Sequence, residues 1–224
     1  MSALSPGNNV SFVKIAAVYV LLVIGIYLLP DHISNEIVKE NGPVEILSAA
    51  GYFLFCIFII HFNYIGAIKT GLTPGFFMFL LGLRELDFHV RFTTMGIFKT
   101  KFFVSPQVPF SEKIIVTLFI LSLIVYGVMY LRRTLPGLKK DLLGGRPYAF
   151  SIIAAVGCIF VSKLLDGNSK IFEVIFPMIE NPSLLSRTME ECLEMFIPVF
   201  FIRALLQYSW DNVQRRAAGN HVKV

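Results

Sequence analysis

The stretch Leu83-Arg84-Glu85-Leu86-Asp87-Phe88-His89-Val90-Arg91-Phe92-Thr93 places five ionisable side chains within the eight positions 84–91, directly after the apolar run 75–83. On a continuous helix Glu85 and His89, four apart, share one face, while Arg84, Asp87 and Arg91 share another. Carboxylates with one imidazole suit a divalent cation such as Mg²⁺, Mn²⁺, Ca²⁺ or Zn²⁺. A metal so held activates water against a lipid ester, amide or phosphate. Without a metal, neighbouring carboxylates disfavour one another's charge and share a proton, as a proton- or cation-coupled carrier requires. The plainer alternative is an ion-pair network that anchors a helix end at a membrane interface. An ionisable group at the edge of a lipid-buried run marks a functional site by default.

Other acids fall at comparable helix ends. Glu190, Glu191 and Glu194 follow the N-cap candidate Ser186, with Arg187 in reach of the first two. Acids in a first helical turn complement the helix dipole, which explains Glu190 and Glu191 cheaply. Glu194 lies deeper, before Met195-Phe196-Ile197-Pro198. Lys163 and Asp166 are three apart, and Glu45 sits one turn after Gly42-Pro43. The leading assignment makes Glu85, His89 and Glu194 metal ligands and Asp87 or Glu190 the acid/base. Arg84, Arg91 and Lys163 then hold an anionic headgroup, and Glu45, Asp166 and Glu191 complete the polar cluster.

These residues need helices that bring them to one depth. The chain of 224 residues is 55% hydrophobic and 16% charged, with mean hydropathy +0.70. Soluble domains carry about 25% charged residues, so the composition reads as an all-α integral membrane protein. Apolar runs predict one domain of about six transmembrane helices in a bundle, near 12–29, 44–64, 74–92, 112–131, 148–165 and 187–210. The first run lacks a small-residue cleavage site and reads as a retained helix. Short interfacial segments are expected at 93–112, where Lys99 and Lys101 sit among phenylalanines, and at 168–186. The Pro198 position predicts a kink, and Arg203 is expected to reach the cytoplasmic headgroups.

The basic loop 132–147 and the basic tail from Arg215 fall on one side of six spans. Positive residues mark the cytoplasm, so both termini are placed there, in an inner membrane. Of the 15 Asp and Glu residues, only Asp141 and Asp211 fall on that side. The remaining acids face outward.

The net charge of +5 follows from those loops and not from a nucleic-acid-reading motif. Cys56, Cys158 and Cys192 lie in apolar runs with no CxxC spacing and read as buried thiols. No GxSx motif supports a membrane serine protease, and no phosphate loop an ATPase. Two classes stay open: a metal-assisted enzyme on a lipid or lipid-linked substrate, and a non-enzyme, either a cation- or proton-coupled carrier or an accessory subunit. The expected partners are membrane lipid and a membrane-protein subunit or a second copy of the chain.

Overall fold

The computed structural model describes residues 10–68, 70–97, 100–166, 174 and 178–221. Among the described residues eight α-helices follow in order: α1 Val10–Tyr27, α2 Asp31–Ile37, α3 Pro43–Tyr64, α4 Thr73–Glu85, α5 Thr100–Val104, α6 Phe110–Leu143, α7 Pro147–Leu165 and α8 Pro182–His221. No strand occurs among the described residues. Helices α3, α6 and α7 are long and apolar enough to cross a membrane, and α1 holds a shorter apolar helix. This is compatible with a membrane protein.

A helix stands at each of the six predicted positions, but several ends differ; the last helix, predicted to end near 210, runs on to His221. The helix predicted over 74–92 stops at Glu85. Asp87 adopts the left-handed conformation (φ 46°, ψ 29°), and a 3₁₀ turn, Phe88–Arg91, follows. Asp is among the few non-glycine residues that enter this region readily. At 13 residues α4 rises only about 20 Å, short of a hydrocarbon core of about 30 Å.

The basic segment predicted as a loop after residue 131 is instead helical to Leu143, with Pro136 inside the helix. Proline removes one backbone hydrogen bond there. Leu138 and Leu142 offset the loss by packing on Tyr148, Ala149 and Ala204.

The last helix starts at Pro182 rather than near Ser186. The Asn181 side-chain oxygen accepts hydrogen bonds from the Leu184 N–H (3.3 Å) and the Ser183 hydroxyl (3.0 Å). Asn before a proline at the first helical position is a good start signal. Glu190 and Glu191 therefore lie beyond the first turn, where the dipole no longer accounts for them. Of the interfacial segment expected at 168–186, residues 168–173 and 175–177 lie outside the described residues, as does Lys99.

Helix α8 is the hub, packed against α7, α3 and α1, while α4 packs on α3. Tyr52, Phe55 and Ile59 of α3 meet Met78 of α4 and Ile197 and Leu205 of α8. The Arg203 Cζ stands 3.9 Å from the Phe12 ring centroid, a cation–π contact across α1 and α8.

The buried face of α4 is Gly75, Met78, Gly82 and Glu85, the three-and-four spacing of one helical stripe. Glycine is required for the close approach at Gly75, where a Cβ would lie 2.7 Å from Ile59 Cγ2. Gly75→Ala is expected to destabilise the protein by about 1–3 kcal/mol through overpacking. Gly157→Ala, whose Cβ meets nothing within 4 Å, should be neutral or stabilising. Thermal unfolding of both variants in one detergent checks the contrast.

Candidate functional site

Burial of the α4 stripe carries Glu85 into the protein at the end of the helix, where only 4% of it is exposed. A carboxylate so placed needs charged or hydrogen-bonding partners. Arg84 supplies them: Nη2 lies 2.7 Å and Nε 3.2 Å from Glu85 Oε1. The same Nη2 reaches Glu194 Oε2 of α8 at 3.5 Å. The other oxygen of Glu194 accepts the Ser162 hydroxyl at 2.7 Å and faces Lys163 Nζ at 3.3 Å. Lys163 in turn pairs with Asp166 at 3.2 Å. Charges thus alternate from Glu85 through Arg84, Glu194 and Lys163 to Asp166, tying the ends of α4, α7 and α8 together.

This chain of ion pairs borders a cavity of about 980 Å³. Eight sequence-predicted residues line it: Glu45, Arg84, Glu85, Asp87, His89, Lys163, Asp166 and Glu194. Leu80, Leu81, Val90 and Met95 form its apolar wall. Glu45 accepts a hydrogen bond from the backbone N–H of Asn41. Asp87 makes no ion pair among the described residues, because the left-handed turn removes the helical spacing that would bring Arg84 or Arg91 to it.

Three predicted residues lie elsewhere. Arg91 is exposed, with Cζ 6.0 Å from the Phe88 ring centroid. Glu190 and Glu191 line a second cavity of about 670 Å³ with Asn35, Glu40 and Arg187. Asp166 borders both cavities. The acid/base candidates Asp87 and Glu190 therefore face different cavities.

The expected metal triad does not assemble. Among the described residues, no group of three or more His, Cys, Asp or Glu side chains is placed to hold a metal ion. The physical reason is Arg84, whose cationic guanidinium is shared by Glu85 and Glu194. A second cation there would meet repulsion.

Two lining or supporting residues carried little signal in the sequence. Ser162 was legible only as a hydroxyl beside Lys163 in an apolar run, and its bond to Glu194 depends on α7 meeting α8. Lys101 lines the cavity from α5. Among phenylalanines it reads as an interfacial amine, and only tertiary folding brings it to the wall. No family model, curated protein or solved structure matches this chain.

Removing Arg84 leaves Glu85 buried without its cation. Loss of one partner from a buried pair costs roughly 3–5 kcal/mol, so Arg84→Ala should lower stability strongly. Adding Glu85→Gln to that variant is expected to recover most of the loss. At the rim, Asp166→Asn should cost no more than about 1 kcal/mol, as for exposed pairs. Denaturation of the three variants in matched detergent gives the order.

Proposed function

We propose that this chain is a polytopic membrane protein of about six spanning helices, its termini on the cytoplasmic side of an inner membrane. Its outward cavity binds a membrane lipid or lipid-linked substrate by the headgroup. The observation that carries this reading is the composition of one cavity wall. Ionic side chains of α4, α7 and α8 line it together with the apolar Leu80, Leu81, Val90 and Met95. At about 980 Å³ the cavity is at the large end of small-molecule pockets, which run to about 1,000 Å³. An amphipathic ligand satisfies both kinds of side chain at once, with polar atoms on the charged groups and methylenes on the leucines.

A carrier reading finds less support. The polar groups of α8 form an outer set at Glu194 and an inner set from Arg203 onward, separated by about 13 Å of helix rise. Phe196, Ile197 and Phe200 are buried in that interval. Such a stretch offers an ion no polar step. The metal-assisted route is not carried further, because Arg84 occupies the place between the two carboxylates.

Mass spectrometry of the intact protein, released from a mild detergent, tests the reading. The parent is expected to retain one lipid or lipid-linked molecule. Leu80→Asn should weaken retention by about tenfold or more, since each fully buried apolar side chain is worth about 1.5–3 kcal/mol. Ile153→Asn, on the exposed face of α7, should leave it unchanged. A parent that retains no such molecule overturns the proposal.

A further inference from the structure

The charge balance of the cavity wall narrows the headgroup. Among the described residues five carboxylates (Glu45, Glu85, Asp87, Asp166 and Glu194) face it, against the cations Arg84, Lys101 and Lys163. Arg84 and Lys163 are already engaged, with Glu85, Glu194 and Asp166 divided between them. Asp87 has no ion pair among the described residues. Glu45 accepts a backbone N–H and lies within electrostatic reach of Asp87. Lys101 is exposed and makes no ion pair among the described residues.

A purely anionic headgroup would enter a wall with a surplus of its own sign. Like charges brought together at an interface cost several kcal/mol. A headgroup bearing an ammonium supplies the cation that Asp87 and Glu45 lack, and its phosphate is met by Lys101. This also accounts for two half-buried carboxylates lining the same cavity without an ion pair among the described residues, an arrangement that favours a counter-cation.

Resting on the reading of the cavity as a lipid site, we propose that its ligand belongs to the zwitterionic aminophospholipid class. The ammonium sits at Asp87 and Glu45, and the phosphate is directed to Lys101. The earlier assignment of Arg84, Arg91 and Lys163 to an anionic headgroup gives way to this arrangement. Arg84 and Lys163 hold the wall together, and Arg91 lies outside it.

The test titrates the delipidated full-length protein with phosphatidylethanolamine and phosphatidylglycerol of identical acyl chains, and with free phosphoethanolamine. Bound ligand is read by mass spectrometry of the intact protein. Phosphatidylethanolamine is expected to bind at least about tenfold tighter than phosphatidylglycerol, a difference of about 1.4 kcal/mol. Glu45→Gln/Asp87→Asn should abolish that preference while its thermal unfolding shows it folded. Lys101→Gln, a second variant away from the acids, should weaken both phospholipids and keep the preference. Equal or tighter phosphatidylglycerol binding overturns the inference and leaves the lipid reading standing, as does a preference that survives the double substitution. If free phosphoethanolamine binds as tightly as the lipid and the acids still select it, the lipid reading falls and the ammonium site stands. If none of the three binds, both fall.

Discussion

The Arg84 guanidinium is the group on which the junction of α4, α7 and α8 depends. One nitrogen, Nη2, serves Glu85 on its own helix and Glu194 on α8. Arginine suits this task because its planar fork offers several donors in fixed directions and keeps its charge when partly desolvated. Helix α4 is too short to be held by its length. Its glycine stripe lets it lie close on α3, and that approach is what buries Glu85. The arginine makes the burial tolerable and ties α4 to the central helix α8. Helix packing and electrostatics therefore support one another at the same few residues.

Much of the helical layout was legible because apolar runs of about 20 residues have few structural outcomes. The ends were less legible, for local reasons. Nothing in Leu86-Asp87-Phe88 announces a left-handed aspartate, since Asp enters that region only when the surrounding structure favours it. Arg132-Arg133 and Pro136 read as a loop, yet Leu138 and Leu142 bury enough surface against α7 and α8 to keep α6 going. The Asn181-Pro182 start was present in the sequence and was outweighed by the run of acids after Ser186. Eight of the residues grouped from the sequence do line one cavity, but its full membership was not legible. Lys101 and Ser162 come to the site by tertiary packing, and Glu190, one turn before Glu194, lines the other cavity.

The polar groups of α8 are sorted by depth, which fits a helix whose middle is surrounded by apolar neighbours. Toward its C-terminal end, Ser151 bonds Gln207 at 2.7 Å and Arg146 pairs with Asp211 at 3.1 Å. Toward its N-terminal end stands Glu194 with its three partners. Arg203, between them, is covered by the Phe12 ring. Besides the Asp211–Arg215 pair within α8, Glu194 and Asp211 take partners from other parts of the chain, Arg84, Lys163 and Arg146, so these pairs set which segments meet as well as how tightly. In a low-dielectric setting that selectivity matters more than the net stability of any one pair.

Exposure differs between the two ends of the ion-pair chain: 4% of the side chain at Glu85, 35% at Arg84 and 12% at Glu194, against 47% at Lys163 and 56% at Asp166. The two ends are therefore different kinds of interaction. At Glu85 the carboxylate has left water, and losing Arg84 would expose the full cost of that desolvation. At Lys163 and Asp166 both groups keep water, so exchanging one partner for another changes the free energy little. The buried end of the chain therefore fixes this part of the cavity wall, while the pair at the rim can exchange partners at little cost.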